Sequence, residues 1–273
     1  MKRTINFIGG MHRKNEEGAT LFKDFNVEFN GPSRDVVVNT DKTIGVTGSV
    51  TIYGPHFDLD TAVKIEGESL NLLSEWLSEY VKQINPKCDT IALPFPVNTE
   101  KFKPSQKDGN PIIYFKRRDR AILTEIYNYV SSKYENVRFF DYESGYNESE
   151  YLHSCTTSSF CIWIGSHESQ GFALQECLSC DTPILVIDVD SLYDEIDRYG
   201  RRGYPNGESI KATSASYFDE RCGLKTDVDS WEKDFDVFIE NLEKYSPRSY
   251  VLENLSAKAL GKKWLNFIQN FEK

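Results

Sequence analysis

Residues 164–188, IGSHESQGFALQECLSCDTPILVID, constrain this chain more than any other stretch. An apolar run ends in Gly165, an acidic loop follows, and Gly171 opens a short helical pattern. Pro183 then leads into an apolar run that closes on Asp188. Strand, loop, helix and strand in so few residues is a compact parallel crossover, and such crossovers are right-handed. Two carboxylates, Glu168 and Glu176, stand in the loop and the helix with seven residues between them. Ligands of open parallel sheets lie beyond the carboxyl ends of the strands, so the acidic loop falls where a ligand would be met.

The same alternation extends back to residue 111. Residues 111–115 read as a buried strand, 116–120 as a basic turn, and 121–132 as a helix with Ile122, Ile126, Tyr129 and Val130 on one face. A strand at 137–140, a short helix at 148–154 and a strand at 160–164 follow, then a helix at 171–179 and a strand at 184–187. Strands alternating with helices at this spacing imply a parallel sheet. The earlier part is less regular, with strands expected at 4–8, 36–38, 44–53 and 90–93 and a helix at 70–84. The proline-punctuated stretch 94–104 reads as a linker between domains. Residues 250–271 read as one amphipathic helix carrying Leu252, Leu255, Leu260, Trp264, Leu265 and Phe271.

Composition narrows the functions open to such a chain. The 273 residues carry a formal net charge of −10 and no basic stripe, so nucleic acid is not an expected partner. Up to residue 93 there are 10 basic and 13 acidic residues, which gives an anionic membrane no basic face. No run approaches the roughly 20 apolar residues of a membrane span, and MKRTINFIGG lacks the apolar core of a signal peptide. The expectation is a soluble cytoplasmic protein without an integral membrane segment. Cys177 and Cys180 form a C-x-x-C, but they fall on a helix with no second pair or histidine cluster nearby and read as small apolar helix residues.

Three groups of residues can carry chemistry. In the acidic loop, Gly171 lets the backbone approach a ligand, and the first N–H groups of the following helix can hold an anion. The helix dipole adds about 0.3–1 kcal/mol. Glu168 and Glu176 suit the hydroxyls of a sugar or a ribose; the plainer reading is a helix capped by Ser169 with solvated glutamates. In the basic turn, Lys116, Arg117 and Arg118 follow a strand and precede a helix. Positive charge there opposes the helix dipole unless an anion compensates it, and arginine offers a diphosphate bidentate geometry. The third group is Asp188 and Asp190, a D-x-D of the type that can hold Mg²⁺ or Mn²⁺ against a diphosphate. The basic turn and acidic loop already supply a donor site, so no metal is expected. His56 in YGPHF and His12 after Gly9-Gly10 are loop histidines able to approach a ligand, and Tyr142 or Tyr146 can pack on a base.

The segments PFPVNTEKFKP, IIYFKRR, EYLHSC and SHESQGFALQECLSCDTPILVID, in this order, resemble the donor half of a retaining GT-B glycosyltransferase with an E-x7-E motif, of the family 4-like type. The resemblance covers residues 93–188 well and the C-terminal region loosely, and Asp181 stands where the family usually has glycine. It implies an α/β, GT-B-like fold of two Rossmann-like domains with parallel sheets. Residues 1–95 would form a reduced acceptor-side domain, 96–250 the donor domain, and 251–273 a helix of the kind that crosses back to the first domain.

The resemblance also implies a reaction. A sugar would pass from a nucleotide-diphosphate sugar, a UDP- or GDP-sugar first, to a hydroxyl of a glycan or glycoconjugate, with retention and without a metal. Glu168 would face the donor sugar and Glu176 would grip the ribose. Lys116 with Arg117 or Arg118 would neutralise the diphosphate, and the backbone around Ser169, Gln170, Gly171, Phe172 and Ala173 would meet sugar and diphosphate. His56 would lie near the transferred sugar. With about 95 residues before the linker, the first domain should be a pared-down sheet with few helices. The competing readings are a non-catalytic nucleotide-sugar binding protein and a GT-B-like epimerase or phosphorylase.

Overall fold

The computed structural model describes residues 2–55 and 69–271. The chain forms two compact units, Met1–Asn98 with Asn254–Lys273, and Thr99–Glu253.

In the first unit, β1 (Arg3–Ile8), β2 (Phe25–Phe29), β3 (Val36–Asn39), β4 (Val50–Tyr53), β5 (Ser69–Asn71) and β6 (Asp89–Ile91) form one sheet in the order β2-β1-β3-β4-β5-β6. Every neighbouring pair is parallel. The described helices before residue 94 are short, α1 (Arg13–Ala19) and α2 (Glu75–Ile84). β3 reads VVVN and is buried throughout, as a strand covered on both faces should be. The strand expected over 44–53 is shorter, because Lys42–Ile44 form a 3₁₀ turn that Gly45 closes at φ 67°. The helix expected over 70–84 is two elements. Leu70 belongs to β5, and Leu73 at φ 66° turns the chain before Ser74 opens α2. Leu70 and Leu73 fit a helical period, but three buried residues paired to β4 and β6 decide for strand.

The second unit is doubly wound. Its strands β7 (Pro111–Lys116), β8 (Arg138–Asp141), β9 (Phe160–Gly165), β10 (Ile184–Ile187) and β11 (Gly223–Thr226) run in the order β11-β10-β9-β7-β8, all parallel. The helices are α3 (Arg120–Lys133), α4 (Glu148–Thr157), α5 (Phe172–Ser179) and α6 (Trp231–Glu240). The pleat sends alternate residues to opposite faces. Ile113, Phe115, Ile162, Ile164, Leu185 and Ile187 meet Ile126 and Val130 of α3 and Phe235 and Phe238 of α6. On the other face Tyr114 stacks on Trp163, with centroids 4.1 Å apart and planes at 2°, and Tyr151 of α4 packs beside them. Burying each such side chain contributes about 1.5–3 kcal/mol. Cys177 and Cys180 are buried free thiols of this interior.

Residues 250–271, expected as one helix, form parts of two, α7 (Pro247–Asn254) and α8 (Ala257–Phe271). Leu252 faces solvent at 45 % exposure, whereas Leu260, Trp264 and Ile268 of α8 are buried. In the first unit the Trp264 ring meets Phe22 at 5.6 Å and Phe95 at 5.8 Å, and its indole N–H donates to Pro94 O at 3.2 Å.

Candidate functional site

The strand order of the second sheet reverses between β7 and β9, which opens a crevice at their carboxyl ends. Lys116, last in β7, is in register with Gly165, last in β9. The Lys116 ammonium reaches Glu168, Nζ to Oε1 2.6 Å, with side-chain exposures of 13 and 12 %. It also lies 4.6 Å from the centre of the Tyr142 ring.

The three basic residues part company. Arg117 adopts φ 52°, a left-handed conformation that costs a non-glycine residue free energy. Its guanidinium is 3.1 Å from Glu143 and 3.6 Å from Glu195, and its carbonyl accepts from Ile196 N at 2.8 Å. Burial works against its charge, but Glu195 and Glu143 outweigh this and hold its pKa above the ordinary value. Arg118 turns inward and is 4 % exposed. Its Nη1 donates to the carbonyls of Gly165, Ile187 and Asp188 at 2.9, 3.2 and 3.2 Å, so this charge ties strand ends together inside the unit.

The loop carrying Glu168 is fixed on both sides. Glu168 N donates to Thr213 O at 2.9 Å, and Ser216 Oγ donates to Glu168 O. Gly171, at φ 77° and ψ 54°, is the N-cap of α5, and no side chain caps the helix. The Ser169 cap of the plainer sequence reading is therefore not formed, and the first N–H groups of α5 lack a side-chain acceptor at the cap. Gln175 Nε2 donates to Gln170 O at 2.8 Å, and Tyr151 donates its hydroxyl to Ala173 O at 2.7 Å. Ser169, Phe172 and Ala173 are half-buried around this turn. Glu176, in the second turn of α5, is buried. Burial, with the Glu176 charge adding to it, pushes the Tyr146 phenol up to about 12.

Two arrangements were absent from the sequence reading. Asp188 accepts from Thr213 Oγ1, Ser214 N and Ser214 Oγ at 2.7–2.9 Å and pairs with Lys225 at 2.9 Å. Burial alone would raise its pKa, but Lys225 and these donors hold it below the ordinary carboxylate value. The D-x-D carboxylate is thus engaged in latching residues 213–214 to the end of β10, and the carbonyl of Thr213 is one of the groups that hold Glu168. Among the described residues no group of three or more His, Cys, Asp or Glu side chains is placed to hold a metal ion. The second arrangement centres on Glu195, 2.7 Å from His167 Nδ1. Burial would raise its pKa, and His167 and Arg117 bring it below the usual value. The Thr213-Ser214 pair was a visible signal for the first; nothing in sequence spacing joins Glu195 to His167.

The crevice thus brings Lys116, Arg117, Tyr142, Glu168 and the loop 169–173 to one edge, and Glu176 is buried on α5. His56 lies outside the described residues. His12 belongs to the first unit, where its Nδ1 caps α1 by accepting from Lys14 N at 3.4 Å.

No protein-family model and no curated protein matches the chain. Solved structures do match. Sucrose-phosphate synthase from Thermosynechococcus elongatus superposes with a TM-score of 0.63 at 10 % identity, covering 99 % of each chain. The chain has the GT-B fold. The lipopolysaccharide outer core galactosyltransferase WaaB, in its apo form, shares this GT-B architecture at TM-score 0.60 and 11 % identity, over 98 % of this chain and 99 % of its own. S. aureus TarM, solved with fondaparinux, α-GlcNAc-glycerol and UDP, matches 85 % of this chain and 55 % of its own at TM-score 0.55 and 13 % identity. Among the described residues of this GT-B chain, no helix is long and apolar enough to cross a membrane.

Proposed function

We propose that this chain is a retaining glycosyltransferase that takes its sugar from a nucleotide-diphosphate donor, a UDP- or GDP-sugar first, and passes it to a hydroxyl of a glycan or glycoconjugate. One observation carries the reading: Lys116 and Glu168 meet at the crevice of a parallel sheet, beside the uncapped start of α5. A diphosphate fits a lysine, an arginine and free backbone N–H groups, and a sugar hydroxyl fits the adjoining carboxylate. TarM, of the same fold, was solved with UDP, which supports the donor class.

In the proposed reaction the bond between anomeric carbon and diphosphate oxygen breaks through an oxocarbenium-like state. The acceptor oxygen bonds to the same face, and its proton leaves to the departing diphosphate. Negative charge grows on that leaving group, so Lys116, Arg117 and the start of α5 stabilise the transition state more than the ground state. Glu168 orients the sugar and Glu176 the ribose; Tyr142, beside Lys116, offers a face to the base. The cations do the work of a metal here, and Asp188 is occupied by Thr213, Ser214 and Lys225. The domain roles that go with this reading are acceptor handling by the first unit and donor binding by the second.

Thermal shifts against UDP-, GDP- and ADP-sugars test the donor, because a ligand at 100 times its Kd stabilises by about 2.7 kcal/mol. Slow release of free sugar from the stabilising donor supports transfer chemistry. Stabilisation with no sugar release over long incubation favours a binding protein instead.

A further inference from the structure

The connection from β10 to β11 differs from the other crossovers of the second sheet, which run through α3, α4 and α5. Residues 191–211 form an irregular arm closed by antiparallel bridges, Ser191 with Lys211 and Ile196 with Arg202. Its base is fastened at the crevice, where Glu195 meets His167 at 2.7 Å and Ile196 N donates to Arg117 O at 2.8 Å. Its tip, Arg198-Tyr199-Gly200-Arg201-Arg202, is exposed. Tyr199 is 66 % exposed, with the guanidinium of Arg198 4.8 Å and that of Arg201 5.1 Å from its ring centre. Arg202 lies 3.6 Å over the ring of Tyr193.

We propose that this arm binds an acidic saccharide, a glycan whose sugars carry carboxylate, sulfate or phosphate groups. An exposed tyrosine offers a large contact face with an apolar body and a polar tip, and guanidinium forks pair bidentately with carboxylate and phosphate groups. The tip is also set in advance. Asp197 Oδ1 accepts from Tyr199 N at 2.8 Å and Arg201 N at 2.9 Å, and its Oδ2 holds the Arg201 side chain. A surface already ordered loses less freedom on binding. Asp194, Asp197 and Glu208 lie in the same arm, and the chain carries a net −10. A continuous array of phosphates, as on a duplex or an anionic bilayer, would meet these carboxylates. A saccharide with separated charges avoids them. That the bound saccharide is the acceptor rests on the transferase reading; that it binds rests on the arm alone.

Calorimetry on the full chain tests this with a hyaluronan tetrasaccharide, a heparin tetrasaccharide and neutral maltotetraose. At least one acidic probe should bind ten times more tightly than maltotetraose, and Arg198→Glu and Tyr199→Ala should each weaken it at least tenfold. Both side chains are exposed, so melting temperatures and the response to UDP and GDP should stay as in the parent. Equal binding of acidic and neutral probes, or parent-like binding by both variants, overturns the proposal. Tighter, competing binding of a DNA duplex or of phosphatidylserine vesicles overturns it in favour of a polyanion surface. A parent that answers no nucleotide sinks the transferase reading and leaves the saccharide result to stand or fall separately.

Discussion

Lys116 and Glu168 neutralise one another across the crevice, 2.6 Å apart, although 51 residues of chain lie between them. Removing one partner strands a largely buried charge. Lys116→Met should therefore cost about 1–3 kcal/mol in stability, and adding Glu168→Gln should recover most of it. Urea unfolding of both single variants and the double variant reads the coupling directly. Additive losses would mean the two side chains do not act as a pair.

The two glutamates should separate kinetically. Glu168→Ala is expected to lower donor turnover 100-fold or more, about 2.7 kcal/mol of barrier at 1.36 kcal/mol per tenfold, while nucleotide affinity changes little. Glu176→Ala should weaken nucleotide binding at least tenfold. Titration calorimetry with the nucleotide beside donor-hydrolysis rates distinguishes them, and identical effects would remove the division of roles.

Gly171 offers a backbone test. At φ 77° an alanine methyl meets only ordinary contacts, Glu168 Cβ at 3.5 Å, so space is not the obstacle. The cost is conformational, about 1–2 kcal/mol for an L-residue in the left-handed region. Gly171→Ala should show that loss in thermal unfolding together with weaker donor binding. Unchanged affinity would disconnect the turn from the donor.

Acid should act through Asp188. Its folded carboxyl titrates below the ordinary value of about 3.9, so its stabilisation is complete above that value and disappears as pH falls through the folded pKa. Asp188→Asn should lower stability at pH 7 by about 1–3 kcal/mol and flatten the decline below about pH 4. Parallel stability curves for parent and variant across pH 2–7 would contradict this.

Trp264 anchors α8 in the first unit and is fully buried against Phe22 and Phe95. Trp264→Ala should cost about 3–5 kcal/mol. Circular dichroism melting measures it, and a loss under about 1 kcal/mol would mean that α8 is dispensable to that core.

The second unit was readable because its strands are buried on both faces: FCIWIG and ILVI are unbroken apolar runs bounded by glycine, proline or aspartate. Glu168 and the basic turn followed, since both sit where a strand ends. Elements that lean on partners were not readable. β2, FNVEF, buries only Phe25, and β11 is four residues of which Leu224 and Lys225 are not buried. The Asp188 latch depends on Thr213, Ser214 and Lys225, which tertiary folding alone brings to it. In the cluster Lys116-Arg117-Arg118, the sequence reading allows either arginine beside Lys116. Only the turn at Arg117 shows that its members face different ways.

That turn gives the triplet an order that cannot be permuted. Burial pulls the pKa of Arg118 down, yet arginine starts so high that it keeps its proton and goes on donating to three carbonyls. A lysine in its place has far less headroom and can surrender its proton where water is excluded. Two chains of identical composition, differing only in whether lysine stands first or third in this run, would thus differ in whether the strand ends stay tied.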